Sequence, residues 1–559
     1  VDVDRAAVTP PQPARGGARL GARVWRFATV AIPAAFLLVF FAYPVLAILG
    51  RGLVPRGSID LDPVGRVLTD AGLRGVLWFS VWEAALSTLL TLAIGIPGAW
   101  ALSRFAFPGR RAARAFVTVP FVLPTVVVGA AFTTIFGTDG SLVAILLAHA
   151  FFNTAVVVRT VGGLWSQLDG RSEDAARALG ASPARAFLHV TLPALRPAIV
   201  AAGAIVFLFC FTSFGIVLIL GGPTRATLEV EIYRQTADQL QLGVAAALAV
   251  VQLLAVTAML LVAGKLQGHR AVALALRPAD AVARHARNVK ERIGLGVVLV
   301  GVLGFLAWPM AILVDRSFGS DHGFTLDAYR SLDRTGPGSA LFVPPVHAIA
   351  TSLRYALGAV LISVVIGGLA SLAALRRDGH AGRVLDGALM IPLGTSAVTL
   401  GFGFLIALDR PPVDLRTSPW LVPIAQALVA IPFVVRTVVP LGRAVDPRLR
   451  DAAAVLGAAP ARVWRAVDLP VLGPALALGA GFAAAISLGE FGATALIARP
   501  DNPTLPIAIF RLLGVPGAQN YHAAMALTTI LMALTLVVVF AVEAVPGRFV
   551  TRATRGTRG

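Results

Sequence analysis

Twelve stretches of about 20 mostly apolar residues, each long enough to cross a bilayer as a helix, recur along this chain. They begin near Phe27, Val76, Phe116, Leu142, Ala198 and Leu242, then near Gly294, Ser352, Leu385, Leu421, Leu472 and Ala523. Gly, Pro and Thr interrupt two of them, Phe116–Phe136 and Leu385–Leu408, whose boundaries are the weakest. Composition agrees with a membrane-embedded chain: 57% of the 559 residues are hydrophobic and 14% charged. That is too little charge to cover a soluble surface of this size. Phe27–Ile48 is too long for a cleaved signal peptide and lacks a small-residue cleavage site after it. The single cysteine, Cys210, lies inside an apolar run, which excludes a disulfide framework and a Cys-rich metal centre.

The chain carries 48 Lys and Arg against 29 Asp and Glu, a net charge of +19. Spread over a soluble surface, such a surplus suits nucleic acid. Here it segregates. With an even number of spans both termini share one side, and the surplus falls on the tails and the even-numbered connections. Positive-inside bias therefore puts both termini in the cytoplasm. Anionic lipid is the expected neighbour of that face, and no nucleic acid is expected.

The two halves of the sequence repeat. Arg159-Thr160 stands 277 residues before Arg436-Thr437, as do Asp169 before Asp446, Gly180 before Gly457 and Phe214-Gly215 before Phe491-Gly492. Upstream the offset is 272, matching Ser80 to Ser352, Gly95 to Gly367 and Gly129 to Gly401. Six spans per half give both copies the same orientation, with an axis along the membrane normal and a pathway between them. The expected fold is an all-α membrane protein of 12 transmembrane helices in two homologous six-helix halves. Basic tails occupy 1–26 and 548–559, transmembrane domains 27–268 and 293–547, and a cytoplasmic linker 269–292.

The fourth connection of each half holds the most informative segment. It reads Glu173-Asp174-Ala175-Ala176-Arg177-Ala178-Leu179-Gly180-Ala181-Ser182-Pro183 in one copy and Asp451-Ala452-Ala453-Ala454-Val455-Leu456-Gly457-Ala458-Ala459-Pro460 in the other. Alanines after an acidic start favour a short helix, with Asp174 or Asp451 complementing its N-terminus. Gly180 and Gly457 suit the left-handed residue that ends it. Pro183 and Pro460 then open a second helix, capped by Ser182 in the first copy. Pro193 and Pro470 are expected to break that helix before the next span. The product is a stiff helix–turn–helix on the cytoplasmic surface, offering Ala and Leu to something outside the lipid.

This pattern resembles the acidic-Ala-Ala, three residues, Gly loop of ABC importer permeases, with Asp in both copies where the family usually has Glu. The resemblance covers nearly the whole chain. It implies a type I ABC importer permease fold in the bacterial cytoplasmic membrane. It also implies coupling loops at Glu173, Asp174, Ala175, Ala176, Gly180 and Pro183 and at Asp451, Ala452, Ala453, Gly457 and Pro460. Two copies of a cytoplasmic ABC ATPase would dock there, and a substrate-binding protein would deliver cargo outside. ATP and Mg belong to the ATPase, leaving no cofactor in this chain. Fusion of the halves resembles the thiamine and ferric-iron permeases, as do Leu147–Asn153, Phe207–Pro223 and Ser487–Thr494.

No G-x-x-x-x-G-K-[ST] occurs; Gly264-Lys265 is the nearest fragment. His149, His189 and His347 have no metal-ligand spacing, so no metal site is expected, and no Ser/His/acid arrangement falls in a legible pocket. An enzyme is not expected. A 12-helix secondary transporter is the alternative, but Arg104–Arg111 supplies only the basic half of such a signature, with no Asp before it. Glu83 and Glu490 are the acids deepest among apolar neighbours, where carboxylates face a bundle interior or a cavity. Glu490 stands either beside the pathway or bonded to a neighbouring helix for structure, and Glu83, a second pathway candidate, lies a turn or two from a helix end in a mainly structural position. Ferric iron would need hard oxygen ligands such as these. Thiamine, a cation with an aromatic ring, would use Phe214, Phe491 or Trp82 with one acid.

Overall fold

The computed structural model describes residues 17–54, 62–137, 140–268, 283–286, 288–320, 323–335, 338–375, 387–410 and 413–556. The first half comprises α1 (Phe27–Arg51), α2 (Ala71–Arg104), α3 (Arg110–Val122), α4 (Thr125–Phe136), α5 (Leu142–Trp165), the short α6 (Arg171–Ala178), α7 (Pro183–Phe211), the short α8 (Gly215–Leu220) and α9 (Leu228–Tyr233), and α10 (Leu242–Val262). The second half comprises α11 (Val289–Phe318), α12 (Val346–Ala374), α13 (Ala397–Ala407), α14 (Leu421–Ala444), α15 (Pro447–Val455), α16 (Trp464–Gly489), α17 (Gly492–Ile497), α18 (Leu505–Gly514) and α19 (Ala518–Val542). Ten of these helices are long and apolar enough to cross a membrane. The apolar part of α14 is mostly buried and that of α11 mostly not, so α14 is central and α11 peripheral.

The two interrupted runs are where straight spans fail. Pro124 forces Leu123 into an extended conformation, and α3 and α4 meet at a bend of 95°. In the second half a 3₁₀ turn at Ile391–Gly394 precedes α13, which is 11 residues long. The start of that run at Leu385 lies outside the described residues, as do 1–16 of the N-terminal tail, 269–282 and 287 of the linker, and 557–559.

One hydrogen bond, made twice, carries both sequence offsets into space. The Leu228 amide donates to the Ser80 hydroxyl at 3.0 Å, and the Leu505 amide donates to the Ser352 hydroxyl at 2.7 Å. Packing repeats as well. A Cβ on Gly95 would stand 2.6 Å from Cβ of Val157, and one on Gly367 3.0 Å from Cβ of Val434. Glycine thus lets α2 close on α5, and α12 on α14, at matching places.

Pro193 and Pro470 do not break their helices. A π-helical turn precedes each proline, at Phe187–Thr191 and Trp464–Asp468, and the helix runs on into the span. The wider turn accommodates the ring and the missing N–H without ending the hydrogen-bonded ladder.

Candidate functional site

Each half interrupts its fifth span at the same place. α7 ends at Phe211 and α8 begins at Gly215; α16 ends at Gly489 and α17 begins at Gly492. Non-helical backbone at this depth is tolerated where protein or a cavity surrounds it. A cavity of about 360 Å³ lies here, lined by Phe121, Phe152, Asn153, Ser213, Phe214 and Glu229 of the first half and by Ser396, Glu490 and Phe491 of the second. That volume falls within the usual small-molecule range of roughly 300–1,000 Å³.

The Phe214 and Phe491 rings meet across the halves with centroids 5.2 Å apart. Tyr233 backs Phe214 at 5.5 Å, and Phe510, 277 residues after Tyr233, backs Phe491 at 5.5 Å. Four aromatic rings thus form a row, two from each half.

Two carboxylates sit in the cavity wall. Glu490 accepts from the amides of Ala493 at 2.7 Å and Thr494 at 3.1 Å and from the Thr494 hydroxyl, so it caps the first turn of α17. Glu229 accepts from the Gln252 side-chain amide at 2.7 Å and from the Ser396 hydroxyl. Ser396 in turn caps α13 by accepting from the Thr399 amide. Glu229 therefore ties the first half to the second. It was not legible in the sequence because Leu228–Asp238 reads as an outer connection, whereas the chain folds back to bury it.

Glu83 stands one layer behind the cavity. Its Oε1 lies 2.7 Å from Nδ1 of His149 and accepts from Ser87 at 2.6 Å, while Nε2 of His149 lies 2.8 Å from the Ser213 hydroxyl. The fold thus assembles a Ser213–His149–Glu83 line that sequence spacing did not reveal, joining α2, α5 and the α7–α8 break. At the mirrored positions stand Glu490 for Ser213 and Gln426 for His149, and Ser487 donates to Gln426 at 2.5 Å. Trp82 packs on Phe79 and does not reach the cavity wall.

At one end of the bundle the duplicated motif forms two matching turns. Gly180 and Gly457 have φ of +89° and +79°. Their amides bond to Arg177 and Ala454, and the following amides of Ala181 and Ala458 bond back to Ala176 and Ala453. This is the helix-ending pattern that a left-handed glycine permits. Ser182 caps the helix opened by Pro183 by accepting from the Arg185 amide. In the second copy the first helix starts a turn earlier than expected: Asp446 is its cap, and Asp451 lies in its second turn. Asp174, Ala175, Asp451 and Ala452 are exposed, and Leu179 and Leu456 project at 90% and 87% exposure.

Each turn is braced differently. Glu173 accepts from Arg104 at 2.8 Å and from Thr191 at 3.1 Å. Its mirror Arg450 donates to Asp468, the mirror of Thr191, at 2.8 Å. Arg284, from the segment between the halves, joins the first brace. Its amide donates to the Arg104 carbonyl, its carbonyl accepts from the Ala106 amide, and its guanidinium lies 5.0 Å from the Phe105 ring centroid. Two 2.8 Å bonds to Glu291 raise the Arg284 pKa above its already high ordinary value.

A duplicated polytopic bundle with a cavity between its halves and paired turns at one end defines a membrane permease. Residues 91–267 match the family described as binding-protein-dependent transport system inner membrane component. The chain is similar to the thiamine transport system permease protein ThiP of Escherichia coli (strain K12), 28% identical over 86% of this chain and 91% of the relative. It is similar to a probable ABC transporter permease protein of Sinorhizobium fredii, 26% identical over 93% of this chain and 96% of the relative. A probable molybdenum ABC transporter permease protein of Haloferax volcanii is 32% identical over 40% of this chain and 84% of its own length. The chain belongs to the binding-protein-dependent ABC importer permeases and is a fused, multi-pass inner-membrane member of that family.

Proposed function

We propose that this permease carries thiamine, received from a binding protein outside and moved by two separate ATPase subunits that supply ATP and Mg chemistry. Each ATPase seats on one glycine turn, which places that end of the bundle and both termini in the cytoplasm. The observation that carries the coupling reading is the pair of exposed leucines, Leu179 and Leu456, presented 277 residues apart by the same backbone turn. The same apolar side chain presented twice by one repeated glycine-ended turn suits two equivalent grooves on partner subunits.

Thiamine is favoured over ferric iron by three considerations. Several relatives matching most of the chain are named thiamine permeases. The cavity joins aromatic faces to carboxylates, which suits an organic cation. Ferric iron prefers several hard oxygen ligands, and among the described residues no three His, Cys, Asp or Glu side chains converge as a metal site.

Native mass spectrometry of the complex purified from its own membrane tests the two-dock reading. Two ATPase copies per chain are expected. One copy per chain contradicts it.

A further inference from the structure

We propose that the cavity between the halves is a transient binding site for a heteroaromatic organic cation bearing an amino group, held off the pseudo-twofold axis by Asn153 and Glu229. The proposal rests on the permease reading and names the ligand class and the orienting residues for its pathway.

Charge is the first argument. Glu229 and Glu490 are 1% and 6% exposed and line the cavity, and among the described residues neither has a cationic partner. Glu83, equally buried, has His149. A carboxylate enclosed in a membrane protein without a counter-cation is costly, and a cation entering beside it removes that cost. Gln252 and Ser396 fix the orientation of Glu229 yet bring no charge.

An unused acceptor supplies the second. Asn153 is 1% exposed and lines the same cavity, and its Oδ1 has no hydrogen-bond partner. Its Nδ2 donates to the His149 carbonyl at 3.0 Å, which fixes the side chain. Buried acceptors are rarely left unpaired, and an N–H from a ligand would satisfy this one.

Asymmetry supplies the third. The positions that mirror Asn153, Glu229 and Ser396 are Ala430, Pro506 and Pro124, none of which offers a polar side chain. Asn153 and Glu229 therefore give the first half polar groups that the second half lacks at the equivalent positions, Ser396 reaches across to Glu229, and Glu490 is the polar group the second half supplies in its own right. Phe121 and Phe152, 5.5 Å apart, add flat apolar surface beside Asn153 for a ring to lie against.

Calorimetric titration of the intact permease–ATPase complex in lipid nanodiscs tests this with thiamine as the probe. Thiamine is expected to bind, and Glu229→Gln and Asn153→Ala each to weaken it about tenfold or more, the loss of one charge or one well-placed bond. The mirrored Ala430→Ser is expected to leave binding unchanged. Oxythiamine, which replaces the amino group by an oxo group, should bind the unaltered protein more weakly than thiamine and Asn153→Ala no more weakly than thiamine does. That comparison on the unaltered protein needs no variant to fold. Equal binding of thiamine by wild type and both variants overturns the site. So does a wild-type complex that takes up thiamine without binding it in the cavity, and the cargo reading then survives. A complex that neither binds nor takes up thiamine overturns the cargo reading and the site together.

Discussion

Phe214 and Phe491 stand 5.2 Å apart, one from each half, at the end of equivalent helix breaks. With Tyr233 and Phe510 behind them they close the space between the halves with a two-fold-related aromatic row. Because the contact joins the halves, a path that opens at this point must separate these two rings.

Removing both rings is therefore expected to leave the path open. In sealed vesicles, Phe214→Ala with Phe491→Ala should let preloaded thiamine leak without ATP, while wild type holds it. The single variants should leak less, since one ring still faces the gap. Leak-free vesicles of the double variant would show that the barrier lies elsewhere.

The glycine turns allow a separate test. At φ near +80° a β-branched residue is strained, by about 1–2 kcal/mol per residue. Nothing lies within 4 Å of an added Cβ at Gly180 or Gly457, so the strain acts on the turn and not on the packing. Gly180→Val with Gly457→Val is expected to reach the membrane at wild-type levels and to lose ATP-driven uptake. Undiminished uptake would remove these turns from the coupling path.

Tight packing at Gly95 predicts the opposite pattern. Gly95→Val drives its side chain into Val157, and overpacking costs about 1–3 kcal/mol. Reduced thermal stability of the detergent-solubilised protein is expected, with the glycine turns intact. Gly75, on the same helix with open space beside it, should accept valine with little change in melting temperature.

How far the sequence reached follows from what each signal records. Apolar runs and the two offsets gave the spans and the duplication, because helix length and repeat are linear properties. Bends escaped: Pro124 marks an interruption, but only packing decides that α3 and α4 turn by 95°. Among the candidate pathway residues, Glu490, Phe214 and Phe491 meet at one cavity, while Glu83 lies behind His149. Asn153 and Glu229 went unread because nothing local distinguishes them; their burial depends on chain folding back from another part of the half. The glycine turns were legible to the residue at Gly180 and Gly457, since a left-handed helix end has a local cause. Their braces were not, because Glu173 finds Arg104 from a distant helix.

Glu490 caps α17, and one substitution tests whether its charge also serves transport. Its carboxylate caps α17, and Gln at that position keeps one accepting oxygen while losing the charge. Glu490→Gln is expected to lower the uptake rate severalfold with ATPase assembly unchanged. A wild-type rate would make the residue a helix cap only.

The most direct measurement is uptake of labelled thiamine and labelled ferric iron, side by side, in vesicles holding the whole complex with its binding protein. With ATP inside, thiamine is expected to accumulate against its gradient, and ferric iron is not. Accumulation of iron alone would contradict the cargo assignment, and thiamine accumulation that persists without ATP or ATPase subunits would contradict the importer account itself.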